Sequence, residues 1–169
     1  MHSSDGRYVM VYNGEIYNYR EIAAELKQKN KIDFRTSSDS EVILEAYVLY
    51  GADFIQKLNG MFAIAIYDKV KKELFVCRDR IGIKPFYYFW DGENFAFASE
   101  LKSLTKLTAI PLEINKNAIY HFLHLGFVPA PQSIYRSIKK LESGTWMKIT
   151  KNNCEAHKYW SVNKLVSDK

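Results

Sequence analysis

Residues 8–29 read YVMVYNGEIYNYREIAAELKQK, and the point at which this stretch changes period decides the fold. Tyr8 to Tyr12 alternates and is rich in β-branched and aromatic residues, the pattern of a strand. From Asn18 the pattern turns helical. Ile22, Ala23 and Leu26 make one apolar face, and Asn18 with Glu21 three places on has the form of a capping box. Asn13-Gly14 is expected where the strand ends and a short link runs into the helix. The competing reading is a two-residue hairpin, for which Asn-Gly between apolar runs is the strongest short-range signal. Its return strand would be only Glu15 to Tyr17, a poor partner for Tyr8 to Tyr12. At a strand end, a side-chain amide beside a backbone N–H with no Cβ over it makes a good pair of donors for a developing oxyanion. Glu15, next in line, can hold a cation.

Working outward, Asp33 to Thr36 is a short strand candidate. Ser38 and Glu41 form a second capping box opening a helix to about Tyr50. That helix turns Val42, Ile43, Ala46, Tyr47 and Tyr50 inward, and Gly51 stops it. Asp39 falls in its first turn, where an acid favours the helix dipole by ~0.3–1 kcal/mol whatever else it does. Asp53 to Asn59 is a shorter helix. MFAIAIY at 61–67 is a buried strand that turns through 68–72 and returns as Glu73 to Arg78. The loop RDRIGIKP at 78–85 is punctuated by Gly and Pro, and its paired charges can brace it. Phe86 to Trp90 and Phe95 to Ala98 flank Asp91-Gly92 as a second hairpin. Ser99 to Leu104 is a short helix. Asn115 caps another to Leu125, with Ile119, Phe122 and Leu123 inward, and Gly126 ends it. Thr145 to Thr150 and Glu155 to Trp160 form the last hairpin, followed by a polar tail, Ser161 to Lys169. Strands in consecutive hairpins, with helices grouped between them, argue an α+β fold with antiparallel sheets.

The 169 residues suffice for one domain with a real core, and 47% apolar against 25% charged is the ordinary globular balance. The net charge of +5 is scattered rather than gathered into a stripe, which argues against nucleic acid. No apolar run approaches the ~20 residues of a membrane span. Cys77 and Cys154 make neither a disulfide framework nor a metal spacing, as expected of a cytoplasmic chain. His121 and His124, three apart on a helix, read as ordinary helix-face residues. There is no GxGxxG and no P-loop.

Five stretches in order resemble one family: YNGEIYNYREI at 12–22, SSDSEVILEAY at 37–47, LNGMFAIAIYD at 58–68, RDRIGIKPFYY at 78–88 and FASELKSL at 97–104. Together they look like the glutaminase domain of asparagine synthase, a class II glutamine amidotransferase of the N-terminal nucleophile hydrolase type. Residues 122–144 resemble the family's linker region. The resemblance implies a four-layer α/β/β/α sandwich with two antiparallel sheets. Residues 1–150 would be a partial amidotransferase domain, and 151–169 the last strand and the start of a linker toward a synthetase domain. It implies Asn13 and the Gly14 N–H as the oxyanion hole, with Glu15 and Asp39 holding the substrate glutamine, Asp39 chiefly at the α-ammonium. The implied activity is glutamine hydrolysis supplying ammonia to a synthetase domain that uses ATP and magnesium. No cofactor is implied for this chain itself, and a homo-oligomer is possible. The family's nucleophile is a cysteine at the mature N-terminus, whereas this chain begins Met1-His2-Ser3. The expectation is a fragment entered after the family's first strands, inactive alone, with an exposed sheet edge. The alternatives are a non-catalytic glutamine-site remnant or binding domain, and the glutaminase part of an amidotransferase with a different acceptor.

Overall fold

The computed structural model describes residues 1–163; the last six residues of the polar tail lie outside them. Two antiparallel sheets stack face to face. The larger has the order β1-β2-β3-β7-β8, built from β1 (Tyr8–Ile16), β2 (Gly60–Asp68), β3 (Glu73–Arg78), β7 (Thr145–Ile149) and β8 (Cys154–Lys158). The smaller has the order β5-β4-β6, from β4 (Tyr87–Trp90), β5 (Phe95–Ala98) and β6 (Ile138–Lys140). Helices α1 (Tyr19–Asn30) and α2 (Asp39–Tyr50) cover the outer face of the large sheet, with a 3₁₀ turn (Gly51–Asp53) and α3 (Phe54–Lys57) behind them. Helix α4 (Leu101–Leu104) lies on the outer face of the small sheet, and α5 (Lys116–Leu125) precedes β6.

Alternation in β2 explains the layering. Phe62, Ile64 and Ile66 face α1 and α2 and join Ile22, Leu26, Val42, Ile43 and Phe54 in one core. Ala63 and Ala65 face the other way, into a core shared with Phe86, Met147 and Ile149. Small residues on that side let the two sheets approach. Phe89, Leu104, Ile110 and Ile138 form a third core outside the small sheet. The result is the α/β/β/α sandwich expected above.

The expected break at Asn13-Gly14 is absent, and so is the rival hairpin. β1 runs straight through and pairs with β2 from Tyr8–Asp68 to Ile16–Gly60. Two glycines allow this. A Cβ on Gly14 would lie 2.2 Å from the Met61 carbonyl oxygen and 2.8 Å from the Phe62 Cα; one on Gly60 would lie 2.2 Å from the Glu15 carbonyl oxygen. Gly14 serves close approach, not a turn.

Other differences have equally local causes. Asn18 stands at the cap of α1 but makes no capping bond. Its amide instead donates to the Lys57 carbonyl (2.9 Å) and accepts from the Asn59 N–H (2.9 Å), tying α1 to the start of β2. Asp33 to Thr36 is no strand, because the Arg35 and Thr36 N–H groups are taken by the Glu41 carboxylate. Ser38 does cap α2, accepting from the Ser40 N–H. Glu41 does not complete that box. Ile119, Phe122 and Leu123 do not face inward; only Ala118 of α5 is buried. Within the supposed linker, Ile138–Lys140 is a true strand paired with β4.

Because Gly60 sits against backbone, which cannot swing aside, Gly60→Ala is expected to cost at least about 2 kcal/mol. Urea unfolding checks this; a loss under about 0.5 kcal/mol would show that the two strands are not held this close.

Candidate functional site

The end of β1 nearest the helices is where the sequence placed the chemistry. Gly14 pairs with Phe62. The Phe62 N–H and carbonyl are both turned the other way, to the Asp79 carboxylate (3.3 Å) and the Asp79 N–H (2.8 Å). Gly14–Phe62 is thus a non-hydrogen-bonded position of the antiparallel ladder, and the Gly14 N–H points off the outer edge of the sheet. Along that edge Met10 pairs with Met1 and the Ile16 N–H with Asp39, while the Gly14 N–H has no partner among the described residues. Alternation explains its direction: the N–H groups of even-numbered residues of β1 face out, and the segment Met1 to Ser3 lies over the edge beside Tyr8 to Met10.

Asp39 is the first residue of α2, directly after the Ser38 cap. Its Oδ2 accepts from the Tyr12 hydroxyl (2.8 Å) and the Ile16 N–H (3.2 Å), which fixes the carboxylate against β1. Its Oδ1 has only a long contact with the Ser40 hydroxyl at 3.4 Å. Burial, reinforced by donation to Asp39, pushes the Tyr12 hydroxyl far above its ordinary value, so it stays protonated as a donor.

Gly14, Glu15 and Asp39 line one open cavity of about 390 Å³, together with Ile16, Tyr19, Ser37 and Ser38. Three of the four sequence-predicted site residues therefore come together. The Asn13 side chain is on the other face of β1, in a neighbouring cavity of about 200 Å³ between the sheets, and donates to the Ser99 hydroxyl at 3.1 Å. The side-chain period of two separates Asn13 from Gly14 once the strand continues through them. One amide hydrogen of Asn13 is used by Ser99, and the amide has a second.

Sequence reasoning missed three supporting residues. Tyr12 fixes Asp39, and Ser99 fixes Asn13. Glu41, only 2% exposed, holds the 35–38 loop that walls the cavity. It accepts from Arg35 N (3.0 Å) and Nε (3.2 Å) and from Thr36 N (2.7 Å) and Oγ1 (2.6 Å). The spacing Ser38–Glu41 gave a signal, but it pointed to a cap. Neither cysteine reaches the cavity. Cys77 is fully buried among the residues under α2, with its thiol pushed up by burial, and Cys154 packs from β8 against the core between the sheets.

Two antiparallel sheets stacked between helices form the sandwich of the N-terminal nucleophile hydrolase fold. Solved structures agree. The chain is similar to glutamine phosphoribosylpyrophosphate amidotransferase from Bacillus subtilis, at TM-score 0.65 and 20% identity, over 96% of this chain and 31% of that one. It also resembles a class-II glutamine aminotransferase domain protein from Silicibacter pomeroyi, at TM-score 0.56 and 16% identity, over 92% and 69% of the two chains. The family model described as a glutamine amidotransferase domain matches residues 1–160, and the chain belongs to that family. Among curated relatives, a Methanocaldococcus jannaschii protein named for asparagine synthetase (glutamine-hydrolyzing) is 44% identical over 91% of this chain and 30% of its own length. Asparagine synthetase (glutamine-hydrolyzing) 1 of Bacillus subtilis is 41% identical over 86% of this chain and 23% of its own length. The chain thus spans less than a third of either relative.

Burial alone would push the Glu41 carboxyl up; its four hydrogen bonds outweigh that and hold it at about 2, below its ordinary 4.5. The clamp is fully formed above pH 4.5 and is lost as pH falls toward 2. Glu41→Gln is expected to cost about 1–3 kcal/mol at neutral pH and to flatten the acid limb of the stability curve. Urea melts of both proteins at several pH values between neutrality and about pH 3 check this; parallel acid limbs would contradict it.

Proposed function

We propose that the cavity at Gly14, Glu15 and Asp39 holds L-glutamine, and that the chain is the glutamine-handling part of an asparagine synthetase-type amidotransferase. The observation that carries the reading is the Gly14 N–H on the sheet edge, without a partner among the described residues, beside a carboxylate whose Oδ1 has only the long Ser40 contact. Glutamine offers the matching groups: an α-ammonium for Asp39 and the exposed Glu15, and a side-chain carbonyl for the Gly14 N–H. Attack on that carboxamide would place negative charge on its oxygen, where the Gly14 N–H can meet it. Ser99 and Tyr12 act as positioning residues for Asn13 and Asp39.

The products in this reading are glutamate and ammonia, the latter passed to a synthetase domain that activates aspartate. ATP and magnesium belong to that step. The described residues contain no gathered group of three or more His, Cys, Asp or Glu side chains that could hold a metal ion. Covalent glutaminase chemistry needs a thiolate at the cavity. Since Cys77 and Cys154 lie elsewhere, we propose that this chain binds glutamine without turning it over.

Calorimetric titration tests the binding. L-glutamine is expected to bind, and Asp39→Asn to weaken it by about 10–100-fold through loss of a charged hydrogen bond. Ammonia release from glutamine by the purified chain should stay at background. No binding at millimolar glutamine would overturn the site assignment, and turnover at the rate of a complete amidotransferase would overturn the inactivity.

A further inference from the structure

A second cavity, of about 420 Å³, opens between α1 and the loop at Phe34 to Ser37. It shares Tyr19 and Ser37 as a wall with the cavity of Gly14, Glu15 and Asp39. One face of α1 makes its floor. Arg20, Ala23, Ala24 and Lys27 stand at i, i+3, i+4 and i+7, so they share that face. The two alanines end at Cβ and leave room above them. The two cations lie roughly 10 Å apart along the helix axis, one at each end of the floor. Neither forms an ion pair among the described residues. Arg20 donates from Nε to the Tyr19 hydroxyl (3.1 Å), and its guanidinium lies 5.7 Å from the centre of that ring. Lys27 Nζ lies 5.6 Å from the centre of the Phe34 ring. Glu25 of the same helix is spent on Lys29 and Lys57. No Asp or Glu among the described residues lines the cavity. The wall opposite α1 is held in place, because the Thr36 N–H and hydroxyl both donate to the buried Glu41.

We propose that this cavity binds a small aromatic anion: a planar ring joined to a phosphate or a carboxylate. Ala23 and Ala24, with Val42 and Phe34, give the ring an apolar bed, and Phe34 offers it an aromatic partner at the Lys27 end. The anionic group belongs at the other end. There Arg20 has used only its Nε, so both terminal nitrogens are left to grip a phosphate or carboxylate as a fork. The Ser37 hydroxyl, which makes no hydrogen bond among the described residues, lines the same end with Tyr19. Both halves of the ligand are needed. A neutral ring would leave the two cations without a counter-charge, and a bare anion would leave the apolar floor wet. The volume is that of an ordinary small-molecule pocket, for which about 300 Å³ is the lower end. The two cavities share only a wall, so this proposal stands whether or not glutamine fills the other.

Calorimetric titration and amide NMR of the isotope-labelled chain test the proposal, with adenosine monophosphate and indole-3-acetate as the two aromatic anions. At least one of them is expected to bind and to shift the amide signals of residues 19–27 and 34–37. Which of them binds more tightly tells a phosphate ligand from a carboxylate one. The neutral rings adenosine and indole, and the bare anions inorganic phosphate and acetate, are each expected to bind at least about tenfold more weakly. Arg20→Gln, at an exposed position, is expected to weaken the aromatic anion at least about tenfold and to leave the melting temperature unchanged. Failure of both aromatic anions to bind at millimolar concentration overturns the proposal. Inorganic phosphate or acetate binding as tightly as the aromatic anion overturns it by showing a plain basic patch. Signal shifts centred on Gly14 and Asp39 overturn it by placing the ligand in the other cavity, and so does an affinity that Arg20→Gln leaves unmoved.

Discussion

Everything at the candidate site depends on how closely β1 and β2 lie at the Gly14–Gly60 end. Each glycine faces the backbone of the opposite strand, where a Cβ would meet a carbonyl oxygen at 2.2 Å. That approach keeps β1 extended through Asn13-Gly14 to Ile16, and extension fixes the directions of the groups that matter. Asn13 faces the gap between the sheets, Tyr12 faces the helices and Asp39, and the Gly14 N–H leaves the edge. A bend at Asn13 would scatter these groups. Gly14 and Gly60 thus act as a pair, and the geometry of one presupposes the other.

The loop after β3 anchors the same end from beneath. Asp79, fully buried, spends its carboxylate on the N–H groups of Phe62, Ile83 and Lys84. Arg78 donates to the carbonyls of Lys84, Gly82 and Leu141, and Arg80 to those of Leu58 and Gln56. The expected internal brace exists, but the charges satisfy backbone groups, not one another. Burial pushes the Arg78 guanidinium somewhat below its ordinary value, with nearby Asp79 opposing the shift. The free energy of desolvating these ions is offset by otherwise orphaned loop carbonyls and amides gaining partners. Through Leu141 and the Gly144 N–H, which donates to the Asp79 carbonyl, the loop also ties the site end of the large sheet to the small one.

Most of the fold was legible because the strongly alternating segments carry their own burial pattern. β2, β3 and the β4–β5 hairpin stand within a residue or two of their expected bounds, and α2 runs from its Ser38 cap to Gly51. The misreadings share a cause: a local signal was outbid by a long-range partner. Asn13-Gly14 has hairpin chemistry, yet the partner strand lies 46 residues or more away in β2. The Asn18 amide was claimed by Lys57 and Asn59, and the Glu41 carboxylate by the loop at Arg35 and Thr36. Apolar periodicity in α5 was read as core, although periodicity alone does not say which face meets the body. At the site, Gly14, Glu15 and Asp39 were visible as residues. Tyr12 and Ser99 were not, since a strand tyrosine and a loop serine carry no signal of the polar group they will meet.

The most direct test of the account is amide hydrogen exchange along β1, followed by NMR with and without L-glutamine. In the unliganded chain the Asn13 and Glu15 N–H groups, which face β2, should be protected. The Gly14 N–H should exchange much faster, and saturating glutamine should slow it selectively. Protection of Gly14 equal to that of Glu15 without ligand would show that its N–H is already paired. A Gly14 exchange rate indifferent to glutamine would show that the free amide serves something else.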